Sequence, residues 1–305
     1  MKTSRIQDAA WPRGRLAAFL IAVPLSLACL APVHAQDAGA LRAKHAALRE
    51  PLASNQFQRP LVLESVQAAN DLKGDVYAVI DQPYAIVEPA LQGMERWCEL
   101  LILHLNVKHC SSAGKAPNEV LSLVVGRKFD QPLEDAYRVD FKYSMAGSGE
   151  DYYKVQMTAD TGPLSTRNYR LALEVVPLDA KRSFIHMSYS YAYGMAARMA
   201  MQGYLATVGR DKVGFSITGK GDDGKPVYID GVRGVVERNT MRYYLAIEAY
   251  LGAVTSPPAE QLEKRLRDWH AAVERYPVQL HELERDEYLA MKRREVQRQQ
   301  AGAPR

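Results

Sequence analysis

Cys98 and Cys110 close the stretch WCELLILHLNVKHC, with His104 and His109 between them. Thiols and imidazoles this close can hold zinc, act as reactive thiolates or form a disulfide. Leu100–Lys108 reads as a strand, where side chains five apart leave opposite faces. On that reading His104 and His109 do not converge on one ion, and no C-x-x-C spacing accompanies them. In an oxidising compartment two such cysteines pair, and closing the loop between them contributes roughly 3 kcal/mol on the chain-entropy model. A Cys98–Cys110 disulfide is therefore expected, and neither a metal nor a cofactor.

Other chemistry-bearing patterns weaken on inspection. GKGDDG, Gly219–Gly224, spells G-x-G-x-x-G but runs into Lys225-Pro226-Val227-Tyr228, a strand. A dinucleotide fingerprint must open a helix, so a hairpin turn at Asp222-Asp223-Gly224 is expected. No G-x-S-x-G elbow and no H-E-x-x-H occur. Ser148 sits in a Gly-Ser-Gly turn without a base. His104, His109, His186, His270 and His281 are scattered, and no catalytic residue is assigned.

The sharpest feature is aromatic. Met187, Tyr189, Tyr191 and Tyr193 alternate with His186, Ser188 and Ser190. If the tyrosines face a covered side, each buried hydroxyl lacking a partner costs roughly 1–3 kcal/mol. Two environments suit such a ladder: a packed core with the phenol tips at its rim, or a ligand-lined cavity. Helical charges at Arg238, Arg242 and Glu248 could serve the hydroxyls or a ligand. The methionines of GMAARMAMQG (Met195, Met199, Met201) are expected to make adaptable apolar contacts.

The elements that must position these groups follow from periodicity. Period-2 alternation appears at Leu121–Val125, Tyr137–Met145, Tyr153–Met157, Tyr169–Val175 and Ile185–Tyr193, which predicts an antiparallel meander with one face in water and one covered. LVLESVQA and GDVYAVID read as two earlier strands. YAIVEPALQGMERW reads as one helix, beginning near Val87 because of Pro89. GVVERNTMRYYLAIEAYLGAV is apolar around most of its circumference and is expected to lie buried on the sheet's greasy face.

Four basic residues, Lys2, Arg5, Arg13 and Arg15, precede an apolar run from Leu16 to Leu30 and then APVHAQ. This order reads as an export signal cleaved after Ala35; Cys29 in LSLAC gives a lipoprotein alternative. Residues 1–35 carry four of the 39 basic and one of the 35 acidic residues, so the cleaved chain sits about one charge from neutral and offers no electrostatic case for nucleic acid. No later segment has the run of 18 or so apolar residues that a transmembrane helix needs. The expected organisation is a signal peptide over 1–35, a leader over 36–59 with a helix around Gly39–Arg49, a domain over 60–256, and a helical arm over 257–305. The basic side chains of the arm, Lys292, Arg293, Arg294 and Arg298, are expected on a solvated face.

Strand, helix, long meander and long final helix, from about Val62 to Val254, resemble the helix-grip fold of the START and Bet v 1-like (SRPBCC) superfamily; GDVYAVIDQPYAIVEPALQGMERWCEL looks like its opening strand and helix. The chain is also similar to exported proteobacterial proteins of this kind. The resemblance implies an α+β fold, with a curved antiparallel sheet wrapped around a long C-terminal helix and a cavity between them. The usual helix pair after the opening strand looks abbreviated, and the helix at 194–209 and the arm are additions. The ligand-binding residues expected are Tyr143, Tyr153, Met157, Met187, Tyr189, Tyr191, Met241, Arg242, Tyr244 and Glu248, with Arg242 and Glu248 orienting a polar end. The expected function is periplasmic binding or carriage of a hydrophobic, lipid-like or aromatic molecule. A cyclase- or hydrolase-like enzyme, less favoured, would use a Tyr–Glu or Arg–Glu cluster in the same cavity. A third reading is an envelope scaffold meeting a protein partner through the arm.

Overall fold

A computed structural model describes residues 33–207 and 209–302; the export signal expected over 1–35 lies, up to residue 32, outside the described residues. Helices α1 (Val33–Ala47) and α2 (Arg49–Ala53) lead into strands β1 (Leu61–Gln67) and β2 (Asp71–Ile80). Helices α3 (Tyr84–Leu91) and α4 (Met94–Leu101) follow, then β3 (Val107–Ala113), β4 (Val120–Val125), β5 (Tyr137–Ser148), β6 (Tyr153–Thr161), β7 (Arg167–Pro177) and β8 (Ser183–Ala192). The eight strands form one sheet in the order β1-β2-β8-β7-β6-β5-β4-β3, and all neighbours are antiparallel. The step from β2 to β8 joins the opening hairpin to the end of the meander.

The alternating segments became strands because one face could be buried. In β5, Val139, Phe141 and Tyr143 are buried, while Arg138, Asp140 and Lys142 are exposed. The inner face packs on α6 (Gly231–Ala253), which crosses β1, β2 and β8. Met241, Tyr244, Leu245 and Leu251 of α6 are fully or almost fully buried, as its all-round apolar character requires. Gly74 of β2 makes this approach possible: a Cβ there would lie 2.2 Å from Thr240 Oγ1.

Several expectations are corrected. Leu100–Asn106 is not strand. It is the last turn of α4 followed by tight turns, with β3 starting at Val107. Leu100, Leu101, Leu103 and Leu105 are buried whichever way they point, so the segment carries no period to distinguish helix from strand. YAIVEPALQGMERW is two helices broken at Gln92-Gly93, where Gly93 takes φ +89°, a region that favours glycine. The helix pair expected to be abbreviated is thus present. The sheet's outer face is not left in water at β2, β7 and β8. Ala38 and Leu41 of α1, Leu48 between the two helices and Leu52 of α2 cluster there with Tyr77, Tyr152, Val176 and Phe184.

After α5 (Met195–Ala206) comes the expected hairpin, β9 (Ile217–Lys220) and β10 (Pro226–Tyr228). Met195 and Met199 are exposed, which corrects their expected burial in apolar contacts. The C-terminal segment forms α7 (Pro258–Val273), a short α8 (Pro277–Leu280) and α9 (Arg285–Gln300). Its apolar face is buried against the domain: Leu266, Trp269, Tyr288 and Met291 join the main core. Lys292, expected on a solvated face, has no exposed surface. The Cys98–Cys110 disulfide ties α4 to β3. Among the described residues no helix is long and apolar enough to cross a membrane, and no cluster of histidine, cysteine or carboxylate side chains could hold a metal ion.

Candidate functional site

A cavity of about 440 Å³ opens between the inner face of β4–β8 and α6, a size at the lower end for small-molecule sites. Alternation delivers its floor and walls: Leu123 from β4, Val139 and Phe141 from β5, Met157 from β6, Tyr169 and Leu171 from β7, and Tyr189 from β8. From α6 come Asn239 and Tyr243, one turn apart. Leu101, His104 and Asn106 close one end, and the exposed Arg127, Asp135 and Tyr137 mark the mouth.

The interior is an aromatic box. The Tyr189 ring lies 5.2 Å from Tyr243 and 6.4 Å from Tyr169, and Tyr169 meets Phe141 edge-on at 6.1 Å. The Tyr169 hydroxyl donates to Thr166 Oγ1. Burial holds the Tyr189 and Tyr243 hydroxyls in their neutral form by pushing both phenols above their ordinary range. His104 stacks on Tyr243 at 4.5 Å. Its Nδ1 accepts the Asn106 backbone N–H at 3.1 Å. Burial, reinforced by Arg242, Lys292, Lys128 and Lys108, holds the imidazole well below its usual pKa, so it is neutral. With Nδ1 accepting, the proton sits on Nε2, and Nε2 is buried without a partner.

The end wall behind His104 is held by buried charge. Lys292 Nζ donates to the His104 and Val107 carbonyls, at 2.7 and 2.9 Å, and to Glu295 at 2.7 Å. Lys108 Nζ donates to the Leu105 carbonyl at 2.9 Å and to Glu295 at 3.1 Å. All three side chains have no exposed surface. Burial, partly opposed by Glu295, brings Lys292 down to about 8.

Of the expected ligand contacts, the structure brings only Met157 and Tyr189 to the cavity wall. Tyr143, Tyr153, Met187 and Met241 are buried in the core away from the cavity wall, where the Tyr153 hydroxyl donates to the Leu91 carbonyl at 2.6 Å, and Tyr191, also buried, borders a separate groove beside Lys73 and Arg170. Arg242 faces the C-terminal helices instead, donating to Glu282 at 2.8 Å and to the Leu280 carbonyl at 3.2 Å. Glu248 lies in a separate outer groove, where Arg59 and Arg275 both pair with it and the Tyr244 hydroxyl approaches. The acid–base cluster expected around Glu248 is therefore not formed in the cavity. Sequence reasoning missed His104, Asn239, Tyr243 and Tyr169. The i, i+4 pair Asn239/Tyr243 was the signal for the cavity-facing stripe of α6.

On the opposite face of the sheet, His186 bridges two carboxylates, with Nδ1 2.9 Å from Glu174 and Nε2 2.8 Å from Asp75. Tyr77 stacks on it at 4.4 Å. It was expected on a wet face, but only 15% of its side chain is exposed, because α1 and α2 cover that part of the sheet.

No family model matches the chain, and no curated protein sequence matches it. Among solved structures, norcoclaurine synthase from Thalictrum flavum is similar at 13% identity over 49% of this chain and 77% of that one, with a TM-score of 0.31. Zhui aromatase/cyclase from a Streptomyces species is similar at 10% identity over 70% and 96%, with a TM-score of 0.31. A START superfamily protein from Mycobacterium smegmatis is similar at 9% identity over 49% and 92%, with a TM-score of 0.30. The chain's own strand order, the helix pair between β2 and β3, and the packing of the sheet on α6 give the α+β helix-grip architecture that the sequence predicts.

Proposed function

We propose that this protein binds and carries a hydrophobic small molecule, aromatic or lipid-like, in the cavity between the sheet and α6, and that it works in the periplasm. One observation carries the reading: an aromatic-walled space of about 440 Å³ with a polar mouth, open between the inner face of the sheet and α6. Packed interiors hold few voids larger than a water molecule, so an apolar space of this size is a binding site before it is a packing defect. The periplasmic part rests on the basic, apolar and small-residue order of residues 1–35 and on a disulfide suited to an oxidising compartment.

Native mass spectrometry of gently purified protein tests the binding. A bound organic mass is expected, and it should be lost in Met157→Trp, which fills the cavity. Wild type that carries no such mass and takes up no hydrophobic probe would end the proposal. Edman sequencing of the periplasmic fraction should begin at Gln36; a chain retained whole in the cytoplasm would remove the localisation.

A further inference from the structure

We propose that the outer groove beside Glu248 is a second binding site and takes a short neutral oligosaccharide. The groove measures about 900 Å³, toward the upper end for small-molecule sites. It shares no lining residue with the inner cavity, so it stands apart from the carrier reading. Four separated stretches build it. The turn before β1 brings Gln58 and Arg59, the end of β2 leads to Gln82, α6 brings Glu248, and the link from α7 to α8 brings Arg275. Asn55 fixes the first of these: its amide donates to the Pro51 and Arg59 carbonyls at 2.8 Å each, and its oxygen accepts the Phe57 N–H at 2.9 Å. Within that turn Gln58 takes φ +53°, an angle uncommon outside glycine.

The lining decides which ligand fits. Its charged side chains are Arg59, Arg275, Asp81 and Glu248, two of each sign, so the groove favours no net charge. Arg59 Nη1 and Arg275 Nη2 donate to Glu248 Oε2 at 3.1 and 3.0 Å. That fixes the carboxylate, and each guanidinium keeps further N–H donors for a ligand. Gln279 on the same wall is 7% exposed, and its amide makes no hydrogen bond among the described residues. Buried amides are nearly always paired, and a bound hydroxyl would supply both a donor and an acceptor. The half-buried rings of Phe57, Tyr228 and Tyr276 add flat apolar surface, with Tyr276 braced edge-on by Phe57 at 5.9 Å and Phe215 at 5.5 Å. A sugar has the matching mixture: a face of C–H groups for an aromatic ring, and a rim of hydroxyls for amides, guanidinium and carboxylate. A peptide adding a strand needs a free sheet edge, and the strand on this wall, β2, is already paired on both sides, with β1 and β8.

Isothermal titration with maltotriose, cellotriose and tri-N-acetylchitotriose tests this, with trigalacturonate as the charged sugar and trialanine as the peptide. At least one neutral trisaccharide should bind wild type with a Kd of about 1 mM or tighter, and added sodium chloride should change that Kd by less than about twofold. Gln279→Met keeps the side chain's length and removes its amide. Gln58→Gly removes an exposed amide at a backbone angle that glycine adopts freely, so this variant keeps the fold should the other not. Each should weaken the sugar about threefold or more and leave probe binding in the inner cavity unchanged. Wild type that binds none of the neutral sugars overturns the proposal and leaves the carrier reading standing. Tighter binding of trigalacturonate overturns the neutral assignment, and binding of trialanine alone replaces the sugar with a peptide. Sugar affinity undiminished in the folded variants removes the groove from the account.

Discussion

Glu295 is one carboxylate between two lysines, and none of the three side chains has any exposed surface. Replacing it with glutamine keeps its shape and removes the only negative charge among the described residues within hydrogen-bond reach of Lys108 and Lys292. Breaking a buried ion pair in this way costs roughly 3–5 kcal/mol, because the abandoned charge stays buried. In a chain of this size about 1 kcal/mol moves the melting temperature by roughly 2–4 °C, so Glu295→Gln should melt on the order of 10 °C lower. Lys292→Met is expected to cost less, since it leaves Lys108 and Glu295 as a balanced pair. The pH dependence has a definite sign. Burial already depresses Lys292 to about 8 from 10.5, so its charged form destabilises the fold below that pH and the penalty is relieved as pH rises toward 10.5. Without Glu295 the Lys292 pKa falls further, so the deficit of Glu295→Gln should shrink as pH rises from about 6 to about 8, where wild type too loses the Lys292 charge. Thermal and urea unfolding across that range measure all of this. A Glu295→Gln protein within about 1 kcal/mol of wild type at pH 7 would refute the charge reasoning.

Burial pulls the His186 imidazolium down, but Asp75 and Glu174 more than offset it, so its pKa lies above the ordinary 6.5. The stability it contributes is present below 6.5 and is lost as pH rises through the raised value. His186→Gln should thus fall furthest behind wild type near pH 5 and least at alkaline pH; a gap that widens with pH contradicts this. Reducing Cys98–Cys110, or replacing both cysteines with serine, should cost roughly 3 kcal/mol and weaken probe binding, because the closed loop carries His104. Unchanged binding in the reduced protein would detach the loop from the site. Gly74→Ala puts a methyl 2.2 Å from Thr240 Oγ1 and should destabilise by about 1–3 kcal/mol. Pairing it with Thr240→Ala, which removes that oxygen, should recover part of the loss, and failure to do so would point to strain elsewhere in β2.

Much of the fold was legible because burial there is one-sided. Val139, Phe141 and Tyr143 alternate with charged residues, and α6 announces its burial by having almost no polar stripe. The binding face of α6 was not legible for the same reason. A helix buried all round does not say which stripe meets a cavity and which meets packed neighbours. Arg242 and Glu248 drew attention as charges, yet each had a partner supplied from far along the chain, Glu282 and Arg59. Lys292 reads as an ordinary surface lysine in a charged helix; its burial follows from the His104 and Val107 carbonyls it must satisfy. The docking of α1 on the outer sheet face was hidden because its burial is spread over a few well-spaced residues, Ala38, Leu41 and Leu48.

Soaking crystals with bromonaphthalene and locating the bromine by anomalous scattering tests the central claim most directly. The bromine should appear between Met157, Tyr189 and Tyr243, under α6. Bromine found only in the outer groove beside Arg59 and Glu248, with the inner space unoccupied at saturating probe, would contradict it.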